Sequence, residues 1–548
     1  MDTKTKIKKE NQIVTGSSWM AMGSLLSKVL GAIYIIPWMM WMGNAAEADA
    51  AHALYQVAYT PYAFFLTFAT AGVPAAISKQ VSYFNAQKEY EISKNIYKQG
   101  LFLMGITGLL SASLLYFLAP QIAAGSPVAD KAAGTFVIRS LVPALLIIPA
   151  QSVTRGLFQG HNRMREPAIS QILEQFARVI FILASAYIIR QIFLKDVVTA
   201  VAYSTFAAFI GAFFSMAYLL LRLKQTPTAL NRDFEESRNE KKIATRQLLI
   251  DIIKTSIPFV IISTGLIIFQ LIDQQTFAPL MNFFNSELSE ASVQINYGII
   301  QANAHKLSTI ITSFGSALAI TSVPIMSNLI AKKDYEEVAS QFEEAIQLLM
   351  FIMIPAIIGM IVVAEPFYTI FYSFNDFGVF ATKIYAFTSL FMALYMVLGN
   401  ILQAVNLRRK GIYALATGIL VKLISQPLFL RLTGEIGMLY STIAGLLVTI
   451  YLMFKIMNSY VAYSYKYIWR RSLLIFILAL IMGLFTKISY SLFGLFLNYE
   501  SRVQALIGLL LVALVGLIIY GYLVLKSRLA EKIIGDKAFQ LRQKLGIK

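Results

Sequence analysis

The residues with the chemistry lie inside stretches that are otherwise apolar. They are the cations Lys28, Arg139, Arg178, Lys254, Lys306 and Lys422, and the acids Glu174 and Asp273. An ionised side chain at the centre of a bilayer costs about 2.5–3.5 kcal/mol on insertion scales. Arg139 and Lys254 sit within a turn or two of the end of their stretch, where a long side chain reaches the headgroups. Lys28, Arg178, Lys306 and Lys422 have no such exit. Glu174 and Arg178 are spaced i, i+4 with the acid first, the favourable order on one helix face, and they read equally well as an ion pair internal to that helix. Asp273 is a candidate to neutralise Lys28, which leaves Lys306 and Lys422 without an acid at their depth. A single lysine of this kind can bond backbone carbonyls at a helix break. Taken together, Lys28, Lys306, Arg178 and Lys422 read as the lining of a watery cavity that binds an anion. Asp273 and Glu174 are the candidates for binding a coupling ion, sodium or a proton.

The elements that must hold these groups follow from composition. The chain has 548 residues, 57% of them hydrophobic and only 14% charged, against about 25% charged in a soluble protein. It reads as an all-α polytopic membrane protein. There is no cysteine, so no disulfide framework and no thiolate chemistry. His52, His161 and His305 are scattered without metal-ligand spacing, and beyond sodium at Asp273 no metal site is expected. The net charge of +18 suggests nucleic acid, but the basic residues fall in alternate loops, the distribution that orients a membrane protein. No phosphate-gripping glycine loop, nucleophile elbow or acid pair beside a histidine is present. The expectation is therefore a transporter, not an enzyme, with no cofactor, driven by an ion gradient, the membrane potential or substrate flux.

Apolar stretches recur at 13–42, 54–82, 97–119, 133–157, 167–190 and 197–222, and again at 248–278, 294–327, 343–364, 379–405, 409–432, 436–459, 469–493 and 502–527. Each is about twenty residues or longer, enough to span a bilayer. That predicts fourteen transmembrane helices. With both termini inside, most of the 47 basic residues fall in the cytoplasmic segments. The polar, basic residues 1–12 read as a cytoplasmic tail and not as a cleaved signal peptide.

An internal repeat organises the spans. AGVPAAISK at 71–79 parallels TSVPIMSNL at 321–329, QKEYE at 87–91 parallels KKDYE at 332–336, and LFQGHNRMR at 157–165 parallels LQAVNLRR at 402–409. The offset is about 245 residues, and Arg178 falls on Lys422. Six crossings per repeat make two parallel six-helix lobes, an alternating-access plan. The predicted organisation is a first lobe at 1–222, a cytoplasmic linker at 223–247, a second lobe at 248–459, two further helices at 460–527 and a basic tail at 528–548. The tail reads first as a positive-inside anchor and second as an amphipathic helix on anionic lipid.

SKVLG at 27–31, AGVPAAISK at 71–79, and RGLFQG at 155–160 leading to ILEQFAR at 172–178 resemble the polysaccharide flippase branch of the multidrug/oligosaccharidyl-lipid/polysaccharide exporter superfamily. Within it they are most similar to the MurJ-type lipid II flippases and their relatives in spore cortex and capsule synthesis. The resemblance runs from about residue 13 to 527 and includes the fourteen-helix count. It implies a flippase for a polyprenyl-diphosphate-linked glycan, most directly lipid II for peptidoglycan, in the bacterial plasma membrane. Anionic lipids and cell-wall synthesis proteins are its implied partners. By the same resemblance Lys28 and Lys306 line the central cavity, Asp273 contributes to a sodium site, and the helices at 469–493 and 502–527 form a groove for the polyprenyl tail. The chain departs from the pattern in two ways: Tyr34 stands where some members carry a second arginine, and both matched cations are lysine, which lacks the bidentate fork of arginine. The rival expectations are a flippase for a capsule, teichoic or cortex precursor, a multidrug or cation antiporter of the same superfamily, and a membrane scaffold that transports nothing.

Overall fold

The computed structural model describes residues 26–225 and 245–547, apart from 28, 29, 32, 71, 162 and 286. Lys28, residues 1–12 and most of the 223–247 linker lie outside the described residues. What is described is helical, with no strand among the described residues. A helix satisfies its own backbone groups, which is what a lipid solvent demands.

By internal contacts the chain divides into two compact units, Met1–Ala278 and Pro279–Lys548. The first holds α1 (Ile35–Met42), α2 (Ala45–Thr70), α3 (Val73–Ala86), α4 (Tyr90–Gly125), α5 (Lys131–Ser140), α6 (Val142–Gly160), α7 (Arg165–Tyr187) and α8 (Val197–Gln225). It also holds most of α9 (Thr245–Phe284). The second unit contains α10 (Glu290–Gly298), α11 (His305–Ala331), α12 (Tyr335–Val362), α13 (Ala364–Phe371), α14 (Asp376–Ala404), α15 (Arg408–Thr433) and α16 (Gly437–Asn458). It continues through α17 (Tyr465–Phe493), α18 (Arg502–Lys526), α19 (Leu529–Ile534) and α20 (Asp536–Lys544). The boundary between these units falls within α9.

Among the described residues, 10 helices are long and apolar enough to cross a membrane. One of them, Arg408–Asn458, runs 51 residues and contains two helices, α15 and α16, separated by a tight turn at Gly434–Ile436. The expected spans 13–42, 54–82 and 294–327 are helical where described, apart from turns at Tyr34 and Gly72, but fall outside that measure. A fourteen-span fold is consistent with this arrangement.

The repeat read from the sequence reappears as backbone geometry. After α3 the amide of Glu89 donates to Phe84 O and that of Lys88 to Asn85 O; after α11 the amide of Asp334 donates to Leu329 O and that of Lys333 to Ile330 O. Lys88 and Lys333 both adopt a left-handed conformation, at φ 61° and 59°. The same closing turn, a helix stop that satisfies orphan carbonyls, is therefore built twice at matching positions. Asn406 repeats it after α14, with φ 61°.

The basic tail folds back as α19 and α20. Leu529, Ala530 and Ala538 bury against Ile475 and Leu478 of α17 and Val524 and Leu525 of α18, and Arg542 pairs with Glu531 across the turn. It is a packed hairpin of helices.

Candidate functional site

In the first unit three neighbouring helices each present residues four apart, one turn above the other on a single face. They are Gln151 and Arg155 on α6, Ser170, Glu174 and Arg178 on α7, and Gly211 and Ser215 on α8. Glu174 is the hub. Its Oε2 accepts from Arg155 Nη2 at 2.9 Å and from Gln151 Nε2 at 2.9 Å, while Oε1 accepts from Arg178 Nη2 at 2.9 Å. Arg155 is held in turn by Ser170 Oγ at 2.8 Å from Nε and Ser215 Oγ at 3.1 Å from Nη2. Two guanidiniums thus share one carboxylate, and the cluster carries a net positive charge. Arg178 Nε is a buried donor with no hydrogen-bond partner.

Accessibility separates the scaffold from the charges. Gln151, Ser170 and Ser215 are wholly buried, whereas the side chains of Arg155, Glu174 and Arg178 keep 23%, 15% and 18% of their surface. Gly211 explains how α8 comes so close: a Cβ there would lie 2.6 Å from the Glu174 carbonyl oxygen and 3.2 Å from Arg178 Cβ. Only a residue without a side chain lets α8 lie against this turn of α7.

The expected acid Asp273 is buried, 2% exposed, directly ahead of two glutamines on α9 that dock the helix onto α2 and the end of α4. Gln274 Nε2 donates to Val57 O at 2.9 Å and to Ser126 Oγ at 2.9 Å. Gln275 Nε2 donates to Ile122 O and to the same Ser126 Oγ, both at 3.2 Å. One buried hydroxyl therefore fixes the register of α9 beside Asp273.

In the second unit Lys306 follows a π-helical segment, Ile299–Ala304, whose six residues are all buried. Such a segment widens the helix by one residue and is common at functional positions. It is held by side chains: Tyr385 OH donates to Gln301 Oε1 at 3.1 Å, and Asn303 Nδ2 donates to Tyr368 OH at 2.9 Å. The His305 ring packs 5.2 Å from that of Tyr385, and Lys306 itself is half-buried. Lys422 differs, being 0% exposed. Its Nζ donates to Thr442 Oγ1 at 2.6 Å, with Ser441 Oγ and Met438 O each at 3.5 Å. These acceptors belong to the first turns of α16, just after the break at Gly434–Ile436.

The second unit also holds an apolar cavity of about 510 Å³. Phe314 of α11, Pro355 and Gly359 of α12, Met482 of α17, and Val512 and Leu517 of α18 are among its walls.

The six expected site residues thus separate by unit. Glu174 and Arg178 come together as their i, i+4 spacing predicts, joined by Arg155 of the RGLFQG motif, a residue with no role expected from the sequence. Asp273 is buried in the same unit, Lys306 and Lys422 stand in the second, and Lys28 lies outside the described residues. The signal for Arg155 was the i, i+4 spacing with Gln151, visible once both are placed on α6. Among the described residues no cluster of three or more histidine or acidic side chains could hold a metal ion.

Residues 13–330, more than half of the chain, match a family described as polysaccharide biosynthesis protein. Over 542 residues the chain is 29% identical to the lipid II flippase MurJ of Bacillus subtilis (strain 168), covering 96% of this chain and 97% of that one. Its fold matches a structure of a lipid II flippase MurJ in an inward closed conformation, with a TM-score of 0.61 at 15% identity, over 92% of this chain and 98% of that one. It also matches the eukaryotic MATE transporter AtDTX14, with a TM-score of 0.59 at 12% identity, over 84% of this chain and 98% of that one.

Proposed function

We infer, because this chain belongs to the polysaccharide biosynthesis protein family, that it is a flippase carrying a polyprenyl-diphosphate-linked glycan precursor, lipid II for peptidoglycan, across the bacterial plasma membrane. The observation that carries this reading is similarity to the Bacillus subtilis lipid II flippase along nearly the whole of both chains, at 29% identity. The MATE transporter is matched almost completely yet leaves part of this chain without a counterpart, which favours the lipid flippase over drug export.

The substrate has a dianionic diphosphate, a sugar-peptide head and a long apolar tail, and a carrier needs a partner for each. Lys28 and Lys306 offset the diphosphate charge as point cations, without the bidentate geometry of arginine. The apolar cavity beside α17 and α18 accommodates part of the polyprenyl chain, consistent with its walls of Phe314, Met482 and Val512. The two repeats expose the head first to the cytoplasm and then to the outer face. Substrate crosses with no bond made or broken. Asp273 and Glu174 take part in coupling to sodium or protons. The basic cytoplasmic loops attract anionic lipid, and enzymes that polymerise the glycan are the natural protein partners.

The test is complementation in a bacterium depleted of its own lipid II flippase, with the parent chain, Lys28→Ala and Lys306→Ala at matched expression. Rescue by the parent alone is the expected result. Rescue by all three overturns the role given to the lysines, and failure of a membrane-inserted parent overturns lipid II as the substrate.

A further inference from the structure

We propose that Arg155 and Arg178 form a receptor for a diphosphate-class oxyanion that is latched shut in this structure by the carboxylate of Glu174. This deepens the flippase reading and rests on it for the identity of the natural ligand. The donors from Arg155, Gln151 and Arg178 converge from two helices on the two oxygens of one anion, each at 2.9 Å. Guanidiniums converging in this way are the donor set that phosphate oxygens take. Glu174 therefore stands in for the ligand.

Charge and access support exchange over a permanent bond. Two guanidiniums face one carboxylate, so the latched cluster is short of one negative charge, which a dianionic diphosphate in place of Glu174 would supply. Arg178 Nε, buried and without a hydrogen-bond partner, is the spare donor for a larger anion. Gln151, Ser170 and Ser215 anchor the site from positions of no exposure, while the three charged side chains all retain accessible surface. Lys422, with none, cannot meet a ligand without rearrangement. Gly211, pressed against the Glu174 carbonyl, fixes the backbone, so the motion is confined to the carboxylate arm. An ion triplet that served only to bind α6 to α7 would need neither the excess charge nor the exposure.

The purified full-length protein in detergent is titrated by calorimetry at constant salt with inorganic pyrophosphate and, separately, with a polyprenyl diphosphate. If the latch leaves the receptor open about a tenth of the time or less, Glu174→Gln tightens binding about tenfold or more. Arg155→Gln combined with Glu174→Gln abolishes the gain. Tightening for both probes assigns the site to diphosphate of any source; tightening for the polyprenyl diphosphate alone assigns it to the lipid headgroup. Unchanged or weaker binding by a folded Glu174→Gln overturns the proposal. Should that variant not fold, Glu174→Asp, whose shorter arm withdraws from both arginines, must tighten binding in the same direction, and weaker or unchanged binding overturns the proposal equally. The flippase reading fails separately: if the parent does not rescue a flippase-depleted bacterium yet Glu174→Gln tightens pyrophosphate, the receptor stands and the lipid II assignment falls.

Discussion

Replacing Gly211 with alanine tests how the charge cluster is held in place, and its effect can be worked from the packing. The added Cβ would lie 2.6 Å from Glu174 O, 3.2 Å from Arg178 Cβ and 3.3 Å from Glu174 Cγ. The nearest of these is a backbone atom, which cannot rotate away, so α7 and α8 must separate by several tenths of an ångström. Overpacking of this kind costs about 1–3 kcal/mol, offset by the roughly 0.8–1 kcal/mol that alanine gains over glycine in a helix interior. Gly105 on α4 provides the control, because a Cβ there meets nothing within 4 Å. Gly105→Ala should therefore stabilise by about 0.5–1 kcal/mol. The helix-propensity contribution is common to both variants and cancels in their difference, which isolates the overpacking at about 1–3 kcal/mol. The assay is denaturation of the two purified variants and the parent in the same detergent, followed by loss of helix signal. Gly211→Ala should melt below Gly105→Ala, and Gly105→Ala at or above the parent. Equal midpoints would mean that α8 parts from α7 freely, and the close approach at Glu174 would not be what positions the cluster.

Gly359 lines the apolar cavity, and a Cβ there meets nothing within 4 Å, so Gly359→Phe should fill the cavity without displacing backbone. Flipping in proteoliposomes should fall for a long polyprenyl chain and be retained for a short one; equal loss for both would separate the cavity from the tail. Asp196, in the exposed connection before α8, accepts from the Thr199 amide and hydroxyl at 2.8 Å each, and these bonds hold its carboxyl below the usual carboxylate range. Asp196→Ala should lose a helix cap of about 0.5–2 kcal/mol. Because the folded value is depressed, the contribution is complete above the unfolded value of about 3.9 and is lost as pH falls through the folded one. The gap between parent and variant melting points should close on acidification, and a gap independent of pH would refute the carboxylate's role. Gln275→Ala and Ser126→Ala each remove one side of a shared, partly buried hydrogen bond. A double-mutant cycle on unfolding should return a coupling of about 0.5–1.5 kcal/mol, and strict additivity would show that the contact carries no energy.

The candidate site was partly legible in the chain alone. Glu174 and Arg178 announce their bond because i, i+4 neighbours meet on any helix, and that holds whatever surrounds α7. The second arginine on the same carboxylate was not legible, because Arg155 reaches Glu174 from another helix at a distance of 19 residues in sequence. Nor could the sequence rank Lys306 against Lys422. Both are lysines within apolar spans, yet one is half-buried behind a π-helical segment and the other is sealed against Thr442 and Met438.

Legible in the sequence alone was what a bilayer imposes directly: helices of spanning length, and a repeat whose paired turns at Lys88 and Lys333 are local in origin. What only the tertiary structure decided was which face of each helix meets a neighbour and which meets lipid. In a soluble protein that choice is written as an apolar stripe. Here lipid tails are as apolar as leucine, so a packed face and a lipid face need not differ in composition. Helix rotation is then set by a few specific contacts, such as Gly211 against Glu174 and Ser126 between two glutamines, and these exist only once the helices are side by side.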